Sequence, residues 1–337
     1  MKKSLIIVFG AIILLGTGLS LLFLSNERDV ASQIEPATYA AQEDLSFWIK
    51  EIQKKGADSS YKKFIDSNKS APLGVQHIRA HVMGEALFST EEINGIAICD
   101  SNFGFGCFHG LFTVGFASRG RSFIKEADTT CVARYGVFGT GCQHGIGHGI
   151  VEYTGPDRLN EALSLCKETS QPTPLLGCTS GVFMEHNTPF TVLPGEALPE
   201  PYPFSEEHPY GACNEVDSEY QESCYYELGG WWEVVLKGDK LKMGELCSEI
   251  ADTQLRDMCA LGLGNIIGPT NEYSVEKSSA LCSSIPENVQ TLCHAGAAWS
   301  MFSNPNFSDR AKDMCENLSS MEKEICLESY DLATPLP

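Results

Sequence analysis

The spacing of the cysteines constrains the fold of this chain more than any other feature of its sequence. Its 14 cysteines fall into seven couples, and the two members of each couple stand 8 to 12 residues apart. The first members of successive couples advance by 32 to 35 residues, except for one step of 47. A period of about 34 residues is typical of the helix-turn-helix units of an α-solenoid. The couples are 99/107, 131/142, 166/178, 213/224, 247/259, 282/293 and 315/326.

The residues around the cysteines agree with a helical unit of this size. The segments 160–166, 242–247 and 278–282 predict first helices that end near the first cysteine of a couple, and a second helix opens on the second cysteine. The predicted fold class is all-α. About seven to eight disulfide-stapled helix-turn-helix repeats form an α-solenoid, which follows an N-terminal transmembrane helix.

A glycine follows the second cysteine by three positions in five units. Inside a helix a glycine costs about 1 kcal/mol relative to alanine, so its recurrence predicts close contact between neighbouring helix backbones. The five residues are Gly110, Gly145, Gly181, Gly262 and Gly296.

Structural disulfides within each unit are the favoured interpretation of the couples. Closing a loop of this length contributes about 2 to 3 kcal/mol per bridge. Metal-thiolate sites are the rival, although their cysteines usually stand two to four residues apart. Bridges between adjacent repeats stay open, because sequence does not fix connectivity. So many cysteines indicate an oxidising compartment.

The N-terminus predicts the location of the chain. Lys2 and Lys3 precede an uncharged, mostly apolar run over residues 4–24, which is long enough to span a bilayer. No small-residue cleavage site follows, so an uncleaved signal-anchor is favoured over a removed signal peptide. The lysines should stay inside. We therefore expect a single-pass protein of the plasma (inner) membrane with the bulk of its chain extracytoplasmic or periplasmic.

Five segments follow from these patterns. They are a signal-anchor over 1–28, a linker and amphipathic helix over 29–70, histidine-rich repeats over 71–186, a proline-rich loop over 187–212 and cysteine-paired repeats over 213–337.

The composition excludes some classes of partner. Acidic residues outnumber basic ones by 44 to 24, and the net charge of −20 would repel nucleic acids and anionic lipids. The sequence holds no Walker loop or dinucleotide fingerprint. The partner is an unknown protein or small molecule, with membrane contact through the N-terminal helix only.

A duplicated motif carries the strongest signal for a functional site. The pattern Gln-His-x-x-x-His-x-x-x-Glu occurs at 76–85 and again at 143–152. Residues four apart share one face of a helix, so two histidines one turn apart can bind a single metal ion. The predicted metal ligands are His77, His81, His144 and His148. His109 and His186 are further cofactor ligands, and Glu85 and Glu152 are candidate general bases or ligands.

The distance between the two motifs limits this prediction. With about 10 Å per helix pair, units two repeats apart lie about 20 Å apart, so the pairs share one site only in a tightly curved array. Otherwise each pair needs its own third ligand, with His109 or His186 as the natural choice. Histidines with a purely structural role, and a proton-linked polar pocket, are the alternative interpretations.

Imidazole and carboxylate ligands suit zinc, iron or copper, and the glycines around His144 and His148 leave room for haem as the second choice of cofactor. The predicted function is metal or haem binding outside the membrane, or metal-dependent chemistry as a hydrolase or oxidoreductase. The alternative is a disulfide-stabilised interaction scaffold with no cofactor.

Overall fold

A computed structural model describes residues 44–136, 139–170, 177–189 and 200–333, and these residues form α-helices and short 3-10 helices without a β-strand. The all-α prediction is confirmed for this part of the chain. The predicted signal-anchor over 1–28 and most of the predicted linker lie outside the described residues. Within the described ranges, no helix is both long and apolar enough to cross a membrane.

Fifteen α-helices span the described residues. They are α1 (44–55), α2 (Ala57–Asn68), α3 (Leu73–Glu91), α4 (Gly106–Arg119), α5 (Phe123–Tyr135), α6 (Thr140–Thr154), α7 (Leu159–Cys166), α8 (Cys178–Asn187), α9 (Ser218–Val235), α10 (Lys240–Ser248), α11 (Thr253–Thr270), α12 (Val275–Cys282), α13 (Glu287–Phe302), α14 (Asp313–Glu316) and α15 (Ser320–Ala333).

The predicted ends of three first helices are confirmed. Helices α7 and α12 stop at their cysteines, and α10 stops one residue after its cysteine. The second helices differ from the prediction in the C-terminal half. There α9, α11 and α13 begin six residues before the cysteine. In α11 the Asp252 side chain accepts a hydrogen bond from the Leu255 amide, so this N-cap fixes the start of the helix.

Two units lack a first α-helix. A 3-10 helix, Glu92–Ala97, precedes the couple that begins at Cys99, and another, Gly211–Asn214, holds Cys213. The first contains Asn94 and Gly95, which disfavour a regular helix. The second directly follows the proline-rich segment, whose described residues 200–210 are not helical.

The second helices pack against one another in chain order, from α3 through α4, α6, α8, α9, α11 and α13 to α15. Glycines make this close packing of backbones possible. A β-carbon on Gly110 would overlap the carbonyl of His81, and one on Gly181 would overlap the carbonyl of His144. Gly262 and Gly296 meet the preceding helix in the same way, whereas Gly145 meets the ring of Phe112. The predicted close approach of backbones is therefore confirmed at four of the five glycines and is wrong at Gly145.

All seven cysteine couples form disulfides within their own units. The half-cystines are at most 2% exposed, so each bridge lies in the core. In five units the bridge joins a first to a second α-helix. Seven buried disulfides indicate an oxidising environment.

We expect the double substitution Cys247→Ser/Cys259→Ser to lower the free energy of unfolding by about 3 kcal/mol, because the lost bridge closes a loop of 12 residues. Denaturant unfolding at pH 7 measures this loss. Mass spectrometry after thiol labelling should show the other six bridges intact, and scrambled bridges would contradict pairing that is local to each unit.

The proline-rich segment covers an aromatic core. Trp231 and Trp232 are almost completely buried, and their indole nitrogens donate to the carbonyls of Tyr202 (2.7 Å) and Pro209 (2.9 Å). These tryptophans therefore stabilise the fold, and the loop anchors itself on them through backbone carbonyls.

Candidate metal centre

Three consecutive second helices bring five histidines together. Helix α3 carries two of them, α4 carries one and α6 carries two. The ring of His109 lies 5.1 Å and 5.2 Å from the rings of His77 and His81, and 5.5 Å and 4.0 Å from those of His144 and His148, measured between centroids. We call these five residues the histidine cluster.

Within each pair the ε nitrogens converge on one point. The Nε2 atoms of His77 and His81 are 3.1 Å apart, and those of His144 and His148 are 3.0 Å apart. Two nitrogens bound to one tetrahedral zinc ion at about 2.0 to 2.1 Å stand about 3.4 Å from each other. Each pair therefore needs only a small adjustment to bind one ion.

Two acceptors outside the pairs set the protonation of the rings. The Nδ1 of His77 donates to the Phe103 carbonyl at 2.8 Å, and the Nδ1 of His148 donates to the Glu185 carboxylate at 2.7 Å. With the proton on Nδ1, the neutral ring presents a lone pair at Nε2. Metal-binding histidines usually carry a partner of this kind, which orients the ring.

The backbone before α4 is shaped to supply one of these acceptors. Phe103, Gly104 and Phe105 all have positive φ, at 57°, 64° and 63°. Non-glycine residues rarely adopt this conformation, and each costs about 1 to 2 kcal/mol. The packing of the Phe103 ring on Phe64, with centroids 5.5 Å apart, helps to hold the loop so that its carbonyl meets His77.

His109 differs from the other four histidines. Its side chain is 2% exposed, and neither Nδ1 nor Nε2 has a hydrogen-bond partner. A buried polar group without a partner costs about 1 to 3 kcal/mol. A ring held at the centre of the cluster with both nitrogens unsatisfied is the arrangement expected of a ligand-binding group.

Burial keeps the whole cluster neutral. It lowers the pKa of every imidazole because a charged ring would lose its hydration, and a second charge nearby would repel it. The pKa of His148 falls to about 3. Neutral imidazole is the form that binds metal ions, so no proton has to leave these rings before a first ion binds at pH 7.

Two triads of nitrogen ligands result. One consists of His77, His81 and His109, and the other of His109, His144 and His148, with the ligand atoms of each triad within 4.8 Å of one another. Either triad can hold a metal ion. The two histidine pairs do not lie about 20 Å apart as an open array predicts, because the rings of both pairs lie within 5.5 Å of the His109 ring between them.

The remaining predicted site residues lie outside both triads. His186 donates from Nδ1 to the Pro156 carbonyl at 2.7 Å, and its ring lies 5.2 Å from that of Tyr202. Glu85 and Glu152 belong to neither triad. Burial raises the pKa of Glu85 to about 7, so this carboxyl exchanges its proton near neutral pH.

Sequence reasoning missed the role of Glu185. This glutamate is 2% exposed on α8 and meets His148 of the preceding second helix. The only signal in the sequence was an acidic residue inside an otherwise uncharged helix next to a histidine-rich one. A buried carboxylate needs a partner, and that requirement could have paired the two helices.

No protein-family model, curated protein or solved structure matches this chain. The function therefore has to be inferred from the geometry of the site.

Proposed function

We propose that this chain is an extracytoplasmic metal-binding protein, anchored in the plasma membrane by its N-terminal helix, whose α-solenoid of stapled repeats holds transition-metal ions in the histidine cluster. The observation that carries the proposal is the convergence of five neutral imidazoles, three buried and two half-buried, into two triads that share His109. The seven disulfides support folding and residence outside the cytoplasm. The orientation of the anchor, with its N-terminus on the cytoplasmic side, is inferred from Lys2 and Lys3.

The donor set favours particular ions. Both triads are built from imidazole alone, which suits zinc, copper and iron and does not suit magnesium or calcium. A bare ion fits better than haem. Two axial ligands of one haem approach the iron from opposite faces of the porphyrin. The paired Nε2 atoms at 3.0 to 3.1 Å leave no space for a porphyrin between them.

Metal-dependent chemistry is the second candidate function. Three protein ligands leave a fourth position of a tetrahedral ion available for water or substrate, as in catalytic zinc sites. Glu85, whose pKa of about 7 suits a general base at neutral pH, stands one helical turn after His81. A hydrolase or an oxidoreductase would both use this arrangement.

The test is elemental analysis combined with an absorption spectrum on the full chain, purified with its disulfides intact. We expect bound zinc, copper or iron in wild type and loss of about half of it in His144→Ala/His148→Ala, which leaves the triad of His77, His81 and His109 intact. Glutamine at both positions provides a second variant of similar size, and circular dichroism checks that each variant is folded. The matched control is His208→Ala, since His208 is exposed and outside the cluster.

A folded wild-type chain that binds none of the three ions when they are added would overturn the metal proposal. The disulfide-stabilised interaction scaffold would then be the better account. A Soret band that disappears in the double variant would replace the bare ion by haem.

A further inference from the structure

His109 is the only residue that the two triads have in common. Its ring lies between the pair on α3 and the pair on α6, within 5.5 Å of all four rings by centroid distance. It stacks on the ring of His148, with 27° between the planes, so it has to turn for one of its nitrogens to face the ion of that pair. An imidazole has two nitrogens that point away from each other. One such ring can therefore offer a nitrogen to each of two neighbouring ions.

The hydrogen bonds around the cluster distinguish His109 from an ordinary single-metal ligand. A histidine that binds one ion normally donates its other N–H to a carboxylate, a carbonyl or water. His77 and His148 have such acceptors in Phe103 and Glu185. His109 is buried and has no hydrogen-bond partner at either nitrogen, whereas His144 lacks a partner at Nδ1 only. The structure thus supplies no acceptor for the proton that a singly bound His109 would keep.

We propose that the histidine cluster holds two divalent transition-metal ions, one at each histidine pair, and that His109 bridges them as an imidazolate. This inference rests on the proposed metal-binding function. Each ion then has three protein nitrogens, two from its own pair and one from the bridge. With metal–nitrogen bonds of about 2.0 to 2.1 Å, an imidazole ring separates two such ions by about 6 Å.

The proton balance of the bridge is simple. The first ion takes the lone pair of neutral His109, and the ring keeps its single N–H. The second ion binds the other nitrogen in place of that proton, which leaves to solvent. Binding the second ion therefore releases one proton more than binding the first, and no electron transfer is involved.

Copper(II) is the probe, because two copper(II) ions joined by an imidazolate couple their unpaired electrons. We expect the full chain to bind two copper ions per molecule, added as copper sulfate in a non-coordinating buffer. The electron paramagnetic resonance signal of uncoupled copper(II) should grow as the first equivalent is added and fall as the second is added. A pH indicator should record one additional proton released with the second equivalent.

His109→Gln removes the bridge and keeps both pairs. We expect this variant to give the uncoupled signal throughout the titration and no additional proton at the second equivalent. Near-ultraviolet circular dichroism reports whether it is folded, and His109→Ala provides a second replacement. His208→Gln, which changes an exposed histidine outside the cluster, should behave as wild type.

The outcomes separate this inference from the function on which it rests. One copper ion per chain, or two ions with full uncoupled signal in wild type, would overturn the bridge and leave the chain a metal-binding protein. No tight binding of copper, zinc or iron would overturn both. If neither His109 variant folds, the coupled signal and the second proton of wild type still decide the question.

Discussion

Replacement of Gly262 by alanine is expected to lower the free energy of unfolding by about 3 kcal/mol. Gly262 lies on α11 where that helix crosses α9, and a β-carbon there would overlap the backbone carbonyl of Tyr226. A clashing side chain could rotate away, but the Tyr226 carbonyl belongs to the helix backbone and can move only if the whole of α9 moves. The two helices must separate, and overpacking of this kind is among the costly substitutions in proteins.

Gly230→Ala is the matched control for this prediction. Gly230 also lies inside a second helix, but the nearest atom to its β-carbon would be a side-chain carbon of Ile266 at 3.8 Å, which is ordinary contact. Alanine there should raise stability by about 0.5 to 1 kcal/mol through the higher helix propensity. Chemical denaturation at pH 7 measures both variants. Equal effects at the two positions would show that the backbones are not in close contact.

Acidification of the metal-free protein is expected to produce the second large effect, a steep loss of stability below pH 6.5. The five clustered histidines have pKa values below their ordinary 6.5 in the folded state, so the unfolded chain takes up protons that the native chain does not. Each such proton lowers the free energy of unfolding by about 1.4 kcal/mol per pH unit, so the cluster contributes up to about 7 kcal/mol per unit. Burial also lowers the pKa of His186 and His294, which adds to the slope in the same direction.

Two buried carboxyls oppose this trend. Burial raises the pKa of Glu85 and of Glu227 to about 7, so both keep a proton in the native state that the unfolded chain has lost above pH 4.5. Their contribution to stability is present below pH 4.5 and is lost as the pH rises through 7. Between pH 4.5 and 6.5 they offset about 3 of the 7 kcal/mol per unit that the cluster contributes.

Denaturant unfolding in the presence of a chelator, repeated at half-unit steps from pH 8 to pH 4.5, measures this slope. His144→Gln/His148→Gln should reduce it by about two protons, or about 3 kcal/mol per pH unit. His208→Gln, an exposed control, should leave it unchanged. A flat profile in wild type would show that the cluster is solvated and able to take up protons in the native state.

Much of this fold was predictable because its signals are local in sequence. The cysteine couples, the ends of α7, α10 and α12 and the recurring glycines all depend on residues within one unit of about 34. The starts of α9, α11 and α13 were wrong by six residues, and in α11 the N-cap Asp252, rather than the cysteine, determines where the helix begins.

The convergence of the site could not be predicted in the same way. His77 and His148 were found from their helical spacing, but the distance between their helices depends on which backbones touch. The role of His109 as the shared member follows from contacts between three helices, and a single sequence does not determine these. Glu185 lies on a fourth helix, and only the fold pairs it with His148.

The local disulfides also bear on how the chain matures. In every bridge the first cysteine pairs with the next cysteine along the chain, at most 12 residues later. A chain exported from its N-terminus would therefore form each native bridge from the two cysteines that had most recently emerged. Pairing in order of appearance yields the complete native set, so maturation would not require a disulfide isomerase.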